Sequence, residues 1–86
     1  MTYAEALHWI AQLFEEQPNR LSPDTVREDI PAWDSLGVLT LMASLDGDFG
    51  ITLPDDQLQG MRKVDDILQI LRSHGVLEEV SKAARG

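Results

Sequence analysis

Three stretches of the chain repeat apolar residues at the spacing of an α-helix, and a proline-containing segment separates the first from the second. Residues at i, i+3, i+4 and i+7 share one helix face, so each stretch predicts a helix with one buried side. No stretch shows the alternation of a β-strand. The stripes are Leu7, Ile10, Ala11 and Phe14; then Val38, Leu41, Met42, Leu45 and Phe49; then Val64, Ile67, Leu68 and Leu71.

Local sequence signals mark the ends of the first two helices. Thr2 and Glu5 fit a capping box, and Pro18 cannot continue a helix, so the first is expected from about Tyr3 to Gln17. The second begins at Asp34 or Ser35, both good caps, and stops at Gly50.

The last part of the chain predicts a short helix and a longer one. A brief helix from Pro54 to Gln59 ends at Gly60, and the final helix ends at Gly75 with Asp65 and Asp66 at its start and Arg72 and His74 at its end. We therefore expect an all-α fold, a small four-helix bundle of three main helices plus one short helix. Residues 1–75 form the bundle, and residues 76–86 form a tail that is partly helical or frayed.

A long loop joins helices 1 and 2, from Pro18 to Trp33. Leu21, Val26 and Ile30 are isolated apolar anchors in it, and a turn is expected at Ser22 to Thr25, with serine as its cap. Loops of this length are usually functional or lie across the body of the domain.

Composition limits the kinds of function. Fifteen acidic and seven basic residues give a formal charge of -8, and the basic residues are scattered, so we expect no nucleic-acid partner and favour a basic protein surface. There is no cysteine, so thiol chemistry would need an imported sulfur. Neither a leader nor a membrane span is evident, and we expect a soluble, cytoplasmic monomer.

The second helix carries an excess of apolar residues off its core face. Leu36, Thr40, Ala43 and Gly47 point away from the core and Leu39 lies on the flank, so the side from Leu36 to Ala43 has no charge. An uncharged patch of this kind indicates a contact site. The alternative is that Leu36 and Leu39 pack under the long loop or against Trp33.

Ser35 allows two interpretations. It can be no more than part of a helix cap, or it can carry a phosphate ester, which the positive end of a helix favours. Asp34 beside it could help to hold Mg²⁺ during a phosphoryl-type transfer.

The segments "WDSLGVLTLMASLDGDFGITLPDDQL" and "VDDILQIL" resemble the acyl carrier proteins, and the similarity covers about residues 3–75. The resemblance implies that Ser35 carries a 4'-phosphopantetheine arm and that Asp34 assists its transfer from coenzyme A by a phosphopantetheinyl transferase. The protein itself would catalyse nothing. It would present an acyl thioester, sheltered between helices 2 and 3, to acyl-transferring, ligating or condensing enzymes of fatty-acid, polyketide or related biosynthesis.

Two departures from the family pattern refine this expectation. Relatives commonly carry several acidic residues along helix 2, whereas the outer positions here are Gly37, Thr40 and Gly47, with Asp46 as the one acid. We therefore expect a specialised carrier. Trp33 replaces the usual small residue and should fix the loop to helix 2 without obstructing the serine. The expected partner-binding residues are Leu36, Leu39, Ala43, Asp46, Asp55 and Asp56, with further charge from Asp34 and Asp48.

Rival functions remain open from the sequence. A peptidyl or aminoacyl carrier would share the fold and the cofactor, and an unmodified adaptor would use helix 2 as a binding face. A hydrolase lacks the Gly-x-Ser-x-Gly elbow, and His8 and His74 show no partner pattern. The run Asp46 to Gly50 suggests a calcium loop but fails that pattern at Gly50, Ile51 and Gln57.

Overall fold

Four α-helices form the regular structure of the protein in a computed structural model, which describes residues 1–77. No strand occurs within those residues, so the all-α prediction is confirmed, together with three longer helices, one short helix and the long first loop. The helices are α1, Tyr3–Leu13; α2, Ser35–Phe49; α3, Asp55–Gln59; and α4, Val64–Ser73.

Helix α1 begins as predicted but ends four residues early. The Thr2 hydroxyl accepts from the Glu5 amide at 3.1 Å, and the Glu5 carboxylate accepts from the Thr2 amide at 2.7 Å, which completes the capping box. After Leu13 the chain turns, because Glu15 adopts a left-handed conformation with φ 59° and the Glu16 amide bonds the Ala11 carbonyl. This hydrogen-bond pattern closes a helix, and the residue in the left-handed conformation is usually glycine. Because that residue is a glutamate here, the sequence did not indicate the end of the helix.

Helix α2 has the predicted bounds. Asp34 is its cap and Gly50, with φ 68°, ends it in the left-handed conformation that glycine adopts without strain. Its Val38, Leu41 and Leu45 are fully buried, as predicted.

The two later helices are also close to the prediction. Pro54 precedes α3 as its cap instead of forming its first residue, and Gly60 follows it with an ordinary right-handed backbone. Helix α4 closes through Gly75, which has φ 75°, and through the amide of Val76, which donates to the Leu71 carbonyl at 2.9 Å.

The long loop is more ordered than the sequence predicted. It contains the expected turn at Ser22, two 3-10 turns at Pro18–Arg20 and Arg27–Asp29, and an isolated antiparallel bridge between Val26 and Lys63. The bridge ties the loop to the start of α4, because the Arg27 amide donates to the Arg62 carbonyl at 2.7 Å. The loop thus lies across the bundle and is tied to it by backbone hydrogen bonds.

One core draws side chains from all four helices and from the loop. Leu7, Met42 and Phe49 were predicted to be core residues but are only half-buried against it. Leu77, which the prediction assigned to the tail, is buried, and the prediction for residues 78–86 falls outside the described residues. Within residues 1–77, no helix is both long enough and apolar enough to cross a bilayer.

Candidate functional site

Ser35 is the first residue of α2, and its side chain is exposed. The cap is Asp34, whose Oδ1 accepts from the Gly37 amide at 2.8 Å. Neither the Ser35 hydroxyl nor Asp34 Oδ2 makes a hydrogen bond with any residue from 1 to 77. Ser35 is therefore not required as the cap, and its hydroxyl is free at the positive end of the helix.

The chain just before Ser35 is held tightly against the first turn of α2. A β-carbon built on Gly37 would lie 1.9 Å from the Ala32 carbonyl oxygen, so only glycine allows this approach. Gly37 is buried, and the prediction that placed it on the outer face is wrong because the loop returns across it.

Trp33 anchors this segment. Its ring is 2% exposed and stacks on Phe14, at the end of α1, at a centroid distance of 5.2 Å. This contact ties the segment before α2 to the end of α1, and the expectation that Trp33 fixes the loop to α2 stays a prediction. The indole N–H is buried without a hydrogen-bond partner among residues 1–77, so no hydrogen bond of the indole holds the ring in place. Ser35 stays exposed beside it.

An open depression of about 410 Å³ adjoins Ser35. It is lined by Pro31, Trp33 and Asp34 and by the two arginines Arg27 and Arg62. The sequence did not lead us to predict Arg27 as a site residue. Its guanidinium donates to the carbonyls of Trp33 and Gln59, both at 2.8 Å, and the one signal for it was a cation between the apolar anchors Val26 and Ile30.

The outer strip of α2, defined as Leu36, Leu39, Thr40 and Ala43, is exposed and uncharged. Leu36 is 71% exposed and Leu39 is 45% exposed. The alternative in which these leucines pack under the loop or against Trp33 is therefore wrong. An uncharged strip that begins one residue after Ser35 has the character of a contact surface.

Acidic side chains lie at the edges of this region. Asp46, Asp55 and Asp56 are exposed, as their predicted role requires. Asp46 accepts from the Thr52 hydroxyl at 3.3 Å, and Asp55 accepts from Gln59 at 3.3 Å. Asp48 accepts from the indole N–H of Trp9 at 2.8 Å, so that carboxylate is engaged with α1.

The structure counts against two rival functions. The run from Asp46 to Phe49 is helical, so it cannot supply the loop ligands of a calcium site, and no group of three metal-binding side chains occurs within residues 1–77. His8 is exposed and makes no contact with Ser35, and the His74 ring lies against the Ile70 carbonyl at 3.0 Å. No histidine thus serves Ser35 as a base.

No protein-family model matches the chain. Full-length similarity exists to the meromycolate extension acyl carrier proteins of Mycobacterium leprae and Mycobacterium tuberculosis, at 27% identity over 98% of this chain and 74% of theirs. The protein of that description from Mycolicibacterium smegmatis is 26% identical over 96% of this chain and 85% of its own. These relatives are carrier proteins, not enzymes. The helical bundle, the free serine at the start of α2 and this full-length similarity agree with one another: the chain resembles the acyl carrier proteins, at a distance, over its whole length.

Proposed function

We propose that Ser35 carries a 4'-phosphopantetheine arm and that the protein presents an acyl group, bound to this arm as a thioester, to enzymes of fatty-acid, polyketide or related specialised biosynthesis. The observation that carries the proposal is the free, exposed Ser35 hydroxyl at the first residue of α2. The full-length similarity of the chain to acyl carrier proteins supports it.

The residues around Ser35 fit a phosphodiester. The free amides of the first turn of α2 favour a negative group. The depression beside the serine contains two arginines, Arg27 and Arg62, together with the carboxylates of Glu28 and Asp34, so its charges balance and the helix end is the feature that favours the phosphodiester. When the arm is bound, it supplies the thiol that a chain without cysteine lacks. The Ser35 oxygen would bond the phosphorus next to the pantetheine in coenzyme A as the bond from that phosphorus to the bridging oxygen breaks. The leaving group is adenosine 3',5'-bisphosphate, which takes up the proton that the serine hydroxyl loses.

Asp34 has two roles in this proposal. One carboxylate oxygen caps α2 through the Gly37 amide, and the other is left available. A carboxylate oxygen is a ligand that Mg²⁺ accepts, so Asp34 would help to hold the ion that a transferase brings with coenzyme A. The two roles can be separated by substitution, because asparagine retains the cap but removes the charge.

Partner enzymes would bind the outer strip through Leu36, Leu39 and Ala43, with Asp46, Asp55 and Asp56 supplying charge at its edge. The exposure of both leucines supports this, because such a strip favours a partner with an apolar contact surface. The relatives are named for the extension of meromycolate. We propose that the cargo of this protein is likewise an acyl chain under extension.

Mass spectrometry tests the attachment. The purified protein is incubated with coenzyme A, Mg²⁺ and a broad-specificity phosphopantetheinyl transferase, and we expect a gain of one phosphopantetheine group. Ser35→Ala should abolish the gain. Ser44→Ala, on the same helix, should not change it. If several transferases leave the wild-type protein unmodified, the carrier function is wrong and an unmodified adaptor remains.

A further inference from the structure

A single half-buried arginine connects the start of α2 to α3. Arg27 Nε donates to the Trp33 carbonyl at 2.8 Å, Nη1 to the Gln59 carbonyl at 2.8 Å, and Nη2 to Gln59 Oε1 at 3.3 Å. Trp33 precedes Ser35 by two residues, and Gln59 is the last residue of α3. The planar fork of donors in arginine suits this bridging of two separate elements.

The Gln59 side chain extends the connection to Ser35. Its Nε2 donates to the Ser35 carbonyl at 3.4 Å and to Asp55 Oδ1 at 3.3 Å. We name these contacts of Arg27 and Gln59 with Trp33 and Ser35 the arginine link. The link contacts the backbone of the residue whose hydroxyl would be modified, while leaving that hydroxyl free.

Helix α3 packs against α2. It has five residues, which is too short for a helix to be stable by itself, and Leu58 is its one fully buried side chain. Because both backbone and side chain of Gln59 bond Arg27, this guanidinium adds to the packing against α2 in setting the orientation of α3 relative to Ser35. The stacking of Arg27 on the buried Trp33 ring, at 6.0 Å from the ring centroid, fixes the guanidinium in turn.

We propose that Arg27 is a positioning residue for the modification of Ser35. It holds α3 and the first turn of α2 in one arrangement, and a phosphopantetheinyl transferase binds this arrangement. The inference rests on the proposed function and adds to it a residue in the loop, outside the Asp-Ser-Leu segment and the outer strip.

The proposal predicts a specific kinetic effect. Without the link, α3 exchanges among several positions, and the arrangement that the transferase binds becomes a fraction of the population. The apparent KM for the carrier rises as the inverse of that fraction, whereas kcat at saturation is unchanged. A purely stabilising role would instead lower the urea midpoint and leave KM unchanged while the protein is folded.

Arg27→Met and Arg62→Met form a matched pair for the test. Both remove one positive charge from the depression beside Ser35. Methionine keeps an apolar stem against Trp33, while the Arg62 side chain is exposed and makes no hydrogen bond with residues 1–77. We expect Arg27→Met to raise the transferase KM by about tenfold relative to Arg62→Met, with kcat within about twofold. A KM within about twofold of the control would overturn the proposal.

A second pair decides the matter if Arg27→Met does not fold. Gln59→Met removes the side-chain contacts with Arg27 and Ser35 but keeps the backbone contact, and Gln57→Met changes an exposed neighbour on α3. We expect Gln59→Met to raise KM by about threefold over Gln57→Met. Equal KM values for Gln59→Met and Gln57→Met would contradict the proposed role of the arginine link.

Hydrogen exchange tests the link without any transferase. The amides of Leu58 and Gly60 bond the carbonyls of Pro54 and Asp56 within α3. We expect both to exchange at least about tenfold faster in Arg27→Met than in Arg62→Met, after correction for global stability from the slowest amides of α4. Unchanged exchange would overturn the proposal. If the wild-type protein is never modified, the carrier function fails, but this measurement still decides whether Arg27 holds α3.

Discussion

Gly37→Ala should destabilise the protein although alanine is the better helix former. A β-carbon at this position would lie 1.9 Å from the Ala32 carbonyl oxygen and 3.0 Å from its carbon. Both atoms belong to the backbone, so no side-chain rotation relieves the clash and the loop must shift. Overpacking costs about 1–3 kcal/mol, and an overlap with backbone atoms belongs in the upper part of that range, about 2–3 kcal/mol. This outweighs the helix preference of about 1 kcal/mol for alanine over glycine. We expect the free energy of unfolding to fall by about 1–2 kcal/mol.

Gly47→Ala is the matched control, because it makes an identical change in the same helix. Nothing lies within 4 Å of a β-carbon built at Gly47. The substitution should therefore stabilise the protein by about 0.5–1 kcal/mol. Urea unfolding followed by circular dichroism measures both variants. If Gly37→Ala is as stable as the wild type or more stable, the close approach of the loop to α2 is not as the structure has it.

Three further predictions concern the cap, the first helix and the outer strip. Asp34→Ala should cost about 1 kcal/mol in urea unfolding, and Asp34→Asn only a few tenths. Asp34→Asn should still slow phosphopantetheine transfer by at least about tenfold if the charge helps to hold Mg²⁺, and an unchanged rate would leave Asp34 as a cap alone. The Thr2 amide, which donates to the Glu5 carboxylate, lowers the pKa of that carboxyl below its ordinary value, so its contribution to stability is present above that value and is lost as pH falls through the lowered pKa. The urea midpoints of wild type and Glu5→Gln should thus converge on going from about pH 7 to about pH 3, and a constant gap would refute this. Leu36→Ala and Leu39→Ala, both exposed, should change stability by less than about 0.5 kcal/mol. Both should lower acyl transfer by a partner enzyme of the proposed pathway, and unchanged transfer would show that the outer strip is not the contact surface.

The sequence predicted α2 and α4 well because their signals are local. Each has a long stripe at helical spacing, and the glycines at Gly50 and Gly75 end the helical segments in the left-handed backbone they favour. The predicted end of α1 was wrong because Glu15 adopts the left-handed backbone conformation although it is not a glycine. Propensity assigns such a conformation to glycine or asparagine, so it gives no indication of this turn.

The parts of the site that were missed depend on contacts between distant residues. Ser35 and Asp34 stand next to each other in the sequence, so their placement at the start of α2 followed from capping alone. Gly37 was assigned to the outer face because helix periodicity takes no account of a loop that returns across the helix. Arg27 and Gln59 are 32 residues apart, and no periodic pattern relates a loop cation to the end of a short helix.

Because two of its partners are carbonyl oxygens, Arg27 makes hydrogen bonds near Ser35 that resist changes of solution conditions. An arginine paired with a carboxylate would lose its partner in acid and be weakened by salt, and a chain with a net charge of -8 offers many such partners. Carbonyl oxygens do not titrate and carry no net charge for salt to screen. The hydrogen bonds of Arg27 to the Trp33 and Gln59 carbonyls should thus persist while the bundle is folded, even where the acidic surface has changed its charge.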